Sequence, residues 1–146
     1  MLFRSRTIFH EIGHFLDFLL GEISSKSEAF EKALYDDFKT FAKAFQKTYN
    51  IKGKDLYRSL SKFLIENQNL GADIVSDLFF ALSGGKCAGK YGHEPEYWKN
   101  PRNLLAEAFA HFFAVTINTR AGGLDYIKEV FPTAYEEFLK LFKSRS

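Results

Sequence analysis

A chain of 146 residues with 46% hydrophobic and 17% aromatic content, including 17 Phe, suits one domain with a single packed core and excludes a disordered segment. Its net charge is +2, from 20 basic and 18 acidic side chains spread along the sequence, so no basic block marks nucleic acid or a membrane surface as a partner. The single cysteine, Cys87, excludes an internal disulfide framework and fits a reducing compartment; with no His–acid pair beside it in sequence, it reads as a buried thiol.

The opening Met1-Leu-Phe-Arg-Ser-Arg has no apolar run with a cleavage site, and no stretch is apolar and long enough to cross a bilayer. The chain as given therefore reads as soluble and cytoplasmic, with export inside a longer precursor left open. The first predicted helix spans 4–20 and stops at Gly21, a residue suited to the left-handed conformation that ends helices. Ile8, Ile12, Phe15 and Leu19 recur at helical spacing and predict a buried apolar stripe. Thr7, His10, His14, Asp17 and Gly21 form a separate stripe. Gly13 lies beside it, at a cost of about 1 kcal/mol relative to alanine in a helix. It is either a site of close approach by another segment or a tolerated glycine.

This helix carries His10-Glu11-x-x-His14. Two histidines four apart lie one above the other on one helical face, so both imidazoles reach one metal ion. Zn²⁺ favours such nitrogen ligands, and a catalytic site keeps a position open for water. Glu11 sits about a quarter-turn away, where a carboxylate takes a proton from activated water.

Ser25-x-x-Glu28 reads as a capping box opening a second helix to about Tyr49, with Phe30, Leu34, Phe38, Phe41 and Phe45 as its packing face. Asn50–Gly53 is a turn. A third helix, 54–66, carries Leu56, Leu60, Phe63 and Leu64 and breaks at Asn67-Gln68-Asn69. A fourth, 71–83, carries Ile74, Leu78, Ala81 and Leu82. Residues 86–100 differ: Gly89, Gly92 and Pro95 fall among Tyr91, His93, Tyr97 and Trp98, and predict a loop or short hairpin lying across a cleft. Pro101 suits the first turn of a helix over 101–119. Short helices follow at 124–130 and from Pro132, the last packing through Tyr135, Phe138, Leu139 and Phe142.

A catalytic zinc needs a third protein ligand. The extended H-E-x-x-H-x-x-G-x-x-H pattern fails, because Asp17 and Leu20 occupy its glycine and histidine positions. The 101–119 helix supplies a candidate. Glu107 and His111 share a narrow face with Asn103, Ala110, Ala114 and Asn118 on or near it, opposite Leu105, Phe109, Phe112 and Phe113. The alanines allow close packing against the first helix and bring Glu107 to the metal. His111 is the alternative ligand, or a group that bonds a ligand or substrate.

His10-Glu11-x-x-His14 with Glu107 on a second helix resembles the gluzincin branch of zincin metallopeptidases. Tyr91-Gly-His93…Tyr97-Trp98 followed by Glu107-Ala-Phe-Ala, and the closing Phe131-Pro132…Tyr135…Phe138, resemble metallopeptidase-like domains of phage and mobile-element proteins, including some head-morphogenesis proteins. The resemblance covers most of the chain. It implies a single zincin-like domain over 1–146, His10, His14 and Glu107 as zinc ligands, Glu11 as base, and a phage or virion association; the helices predicted above make that domain mainly α with little or no sheet. One departure is that zincins place a small sheet before this helix, whereas nine residues precede His10. The chain is then the C-terminal part of a longer protein or a reduced, nearly all-helical version. An absent edge strand bears on peptide binding, which otherwise uses main-chain pairing.

The chemistry expected is zinc-assisted hydrolysis of a polypeptide. Glu11 accepts the water proton and hands it to the leaving amine. Tyr91, His93 and Tyr97 are candidate donors to the oxyanion, with His93 and Tyr97 preferred because they flank Pro95. Asp17 either orients a ligand or pairs with a lysine. The rival reading is a non-catalytic zinc-binding domain serving assembly or interaction in a phage or toxin-related protein. The sequence does not fix an oligomeric state.

Overall fold

The computed structural model describes residues 2–67, 71–90 and 92–143. Its helices are α1 (Leu2–Leu19), α2 (Glu28–Thr48), α3 (Leu56–Glu66), α4 (Ala72–Leu82), α5 (Pro101–Ile117), α6 (Leu124–Val130) and α7 (Pro132–Lys143). Single turns of 3-10 helix stand at Ser24–Lys26, Gly53–Asp55, Pro95–Lys99 and Thr119–Ala121. The chain is mainly helical, and the described residues contain no strand. Each expected helix is present with the bounds compared above shifted by no more than two residues. No helix of the described residues is long and apolar enough to cross a membrane. Of the predicted break after α3, Asn67 caps the helix through its amide on the Phe63 carbonyl, and Gln68 and Asn69 lie outside the described residues.

The centre of the molecule is α5, which is apolar nearly all round and is buried on nearly every face. Its Phe112 ring centre lies 5.9 Å from those of Phe30 on α2, Phe131 before α7 and Phe138 on α7. All four rings are fully buried, each burial contributing about 1.5–3 kcal/mol. A buried carboxylate pins the two outer helices together: Asp37 on α2 accepts the Ala134 N–H of α7 at 2.8 Å.

The start of α2 departs from the expected capping box. Ser25 sits in the preceding 3-10 turn and donates to the Glu22 carbonyl. Ser27 caps instead, its hydroxyl accepting the Phe30 N–H at 3.1 Å. The extra turn displaces the cap by two residues. Gly21, with φ +78°, ends α1 as expected.

Of the loop or short hairpin expected over 86–100, the described residues form the loop and contain no strand. Residues 86–90 and 92–94 are irregular, and Pro95 opens a 3-10 turn. The segment lies against α4 rather than pairing with itself. A Cβ on Gly89 would overlap Ser76 Oγ, at 1.6 Å, so only glycine permits this approach.

The apolar stripe of α1 faces outward, contrary to expectation. Ile8, Ile12, Phe15, Phe18 and Leu19 are 44–68% exposed. The histidine stripe faces inward instead, because α1 packs chiefly on α5. The contact runs through Gly13: a Cβ there would stand 2.9 Å from Ala110 Cα and 3.1 Å from its carbonyl oxygen. Gly13→Ala therefore destabilises the protein by about 1–3 kcal/mol, although helix propensity alone predicts a gain of about 1 kcal/mol. Urea denaturation of the two proteins reads the sign directly.

Candidate metal centre

Four segments meet over the inward face of α1. That helix brings His10 and His14, one turn apart, and the backbone contact at Gly13 sets them against α5 one turn from Glu107. Glu107 is 2% exposed. His10 Nε2 lies 3.0 Å from Glu107 Oε2, His14 Nε2 lies 3.0 Å from Oε1, and the two Nε2 atoms are 3.1 Å apart. Ligands about 2.0–2.1 Å from a tetrahedral zinc stand about 3.3–3.4 Å from one another, and each of these three contacts is within a few tenths of an ångström of that, with Glu107 meeting the two histidines through different oxygens. Two nitrogens and a buried carboxylate turned on one point could hold a metal ion between them. Glu107 Oε2 is buried without a hydrogen-bond partner, which points the same way.

Burial works against ionisation of Glu107, but the His10 and His14 imidazoles facing it and the Tyr97 hydroxyl overcome it and hold the carboxyl far below its usual range. The same contact with Glu107 raises the pKa of His14 against an opposing burial effect. The Tyr97 hydroxyl donates to Glu107 Oε1 at 2.5 Å. Burial, and then Glu107, push the Tyr97 phenol well above its usual range, so it stays protonated and remains a donor. Asn103 on α5 fastens the Tyr97 turn by donating to the Tyr97 carbonyl at 2.6 Å.

His93 stacks on Tyr97 with ring centres 4.1 Å apart, and its Nε2 is 3.6 Å from Glu107 Oε1. Both expected oxyanion donors therefore stand at the rim of the triad. Tyr91 lies outside the described residues. Glu11 is exposed and makes no hydrogen bond or ion pair with a described residue, while its charge reaches both His14 and Tyr97. His111 is adjacent, with Nε2 3.7 Å from Glu107 Oε2 and its ring 4.3 Å from that of His10. It is not one of the three donors in the triangle; burial lowers its pKa and keeps it neutral. Among the described residues, Asp17 neither bonds His10 or His14 nor pairs with a lysine. It accepts the Ser24 N–H at 2.9 Å and the Ser24 hydroxyl at 2.6 Å, tying the end of α1 to the next turn.

Sequence reasoning missed Asp77. It sits on α4, 4% exposed, and accepts from the His93 backbone N–H at 2.9 Å and from His93 Nδ1 at 3.0–3.1 Å. Its Oδ2 also faces His111 Nε2 at 3.4 Å. Burial disfavours its charge, but the bonds from His111 and the His93 backbone outweigh that and lower its pKa. A lone acid between Val75 and Leu78 in an otherwise apolar run was the available signal. Cys87 is fully buried, and burial pushes its thiol up to about 11, in keeping with an inert core residue.

No family model matches the chain, and neither a curated protein nor a solved structure matches it.

Proposed function

We propose that the chain is a zinc-dependent metallopeptidase domain of gluzincin type. The observation that carries this reading is Glu11, an exposed carboxylate with no partner among the described residues, standing beside three converging metal donors. A purely structural zinc is closed by four protein ligands, whereas the donor group around His10 and His14 contains three residues among those described. Zn²⁺ held by His10, His14 and Glu107 supplies Lewis acidity and an activated water near neutral pH.

The protein's own groups do the rest. Glu11 accepts a proton from the attacking water and delivers it to the leaving amine, the two transfers that amide hydrolysis requires. Tyr97 stays a phenol and, with substrate bound, turns its one proton from Glu107 to the oxygen that gains charge, beside His93. Glu107 is held ionised by its hydrogen bonds. A cavity of about 190 Å³ lined by Ser76, Phe80, Lys90 and His93 adjoins the rim and has room for a substrate side chain. That gives a way to hold a polypeptide without an edge strand.

The test is a peptide-library digest by the zinc-loaded protein, read by mass spectrometry. Cleavage abolished by a chelator and restored by zinc supports the reading. A protein that binds zinc and cleaves nothing is a zinc-binding interaction domain.

A further inference from the structure

The peptidase reading uses one face of Glu107. Its two carboxylate oxygens turn to different neighbours. Oε1 receives Tyr97 at 2.5 Å and faces His14 at 3.0 Å. Oε2 faces His10 at 3.0 Å on one side and His111 at 3.7 Å on the other, and it is buried without a hydrogen-bond partner. Beyond it stands a second donor set. One ligand atom each of Asp77, Glu107 and His111 lie within 4.8 Å of one another.

We propose that Asp77, His111 and Glu107 hold a second divalent metal ion beside the first, with the Glu107 carboxylate shared between the two. This rests on the peptidase reading for the first ion alone. Four observations support the second.

Asp77 and Glu107 are carboxylates 4% and 2% exposed, and no described lysine or arginine pairs with either. The groups facing Asp77 are imidazoles and a backbone N–H. Two such charges side by side in the interior are costly without a cation. An ion held by His10, His14 and Glu107 offsets Glu107 and leaves Asp77 to be balanced locally.

The His111 imidazole turns its Nε2 toward Asp77. Its Nε2 stands 3.4 Å from Asp77 Oδ2. That is long for a charge-assisted hydrogen bond, about 2.7–2.9 Å, and equal to the spacing of two ligands on one ion, about 3.3–3.4 Å.

Asp77 is itself held in place. His93 donates to both its oxygens, through the backbone N–H at 2.9 Å to Oδ1 and through Nδ1 at 3.0 Å to Oδ2. A ligating carboxylate is commonly anchored in this way by outer hydrogen bonds. Finally, Glu107 Oε2 stands between His10 at 3.0 Å and His111 at 3.7 Å, a placement suited to a carboxylate shared by paired ions about 3.5–4 Å apart. Two carboxylates and one imidazole suit Mn²⁺ or Zn²⁺, with more oxygen character than the first site.

The experiment is equilibrium dialysis of the purified protein against zinc, with bound metal counted by elemental analysis, on wild type, Asp77→Asn and His14→Ala. Two zinc per chain in wild type and one in Asp77→Asn is the expected result. One zinc per chain in both, lost in His14→Ala, overturns the second ion and leaves the peptidase centre standing. No zinc in wild type overturns both. Should Asp77→Asn fail to fold, EPR of wild type loaded with Mn²⁺ decides. A spin-coupled spectrum requires two neighbouring ions, and an isolated six-line signal at saturation overturns the proposal.

Discussion

Glu11→Gln keeps its zinc and its fold and loses peptide hydrolysis by about 10²–10⁴-fold. The amide has the size and shape of the carboxyl but cannot take a proton from water. The separation of effects follows from where Glu11 stands. It is exposed and touches no described partner, so its replacement changes stability by no more than about 0.5 kcal/mol. It is not among the converging donors, so metal content stays at the wild-type value. Turnover of the peptide found in the library digest, measured beside zinc content, gives both answers from one preparation. Undiminished turnover with zinc retained removes Glu11 as the base and, with it, the main argument for catalysis.

Replacing Glu107 has the larger effect on the protein as a whole. Glu107→Ala leaves His10, His14 and the Tyr97 hydroxyl without the carboxylate they share. Removing one member of a buried charged group costs about 3–5 kcal/mol. Zinc affinity falls by more than the 10–100-fold seen when an outer hydrogen-bond partner of a metal site is lost. His111→Ala behaves differently, because His111 stands outside the His10–His14–Glu107 triangle. It retains the first ion and gives up the second. The expected metal contents are none for Glu107→Ala and about one per chain for His111→Ala. Loss of all metal in His111→Ala, with retention in Glu107→Ala, makes His111 the third ligand. Elemental analysis after dialysis, with thermal unfolding recorded in parallel, separates metal loss from unfolding.

Much of the helical layout was legible because periodicity and punctuation are local. Pro101 and Asn100 open α5, Gly21 ends α1, and Gly123 precedes α6. The approach of α1 to α5 was legible as well, from Gly13 on one helix and Ala110 on the other, since small residues mark where backbones can meet. What spacing cannot say is which stripe of a helix turns inward. On α1 the usual expectation, apolar side inward, fails, because the histidine stripe meets Glu107 and the stripe of Ile8, Ile12 and Phe15 is left in solvent. Asp77 was hidden for a different reason. Its partners are 16 and 34 residues away, on a loop and on another helix, and nothing within one turn of it announces them. The Ser27 cap was masked by a 3-10 turn whose formation depends on Asp17 holding Ser24.

The split of the candidate centre between α1 and α5 has a consequence for when its donors can meet. At about 5–20 residues per second, a ribosome needs roughly 5–20 seconds to pass from His14 to Glu107. Throughout that interval His10, Glu11 and His14 exist on a helix whose chief partner has not been made, since α1 rests chiefly on α5. The candidate metal centre of the nascent chain therefore stays incomplete until the last third of the described fold has been made.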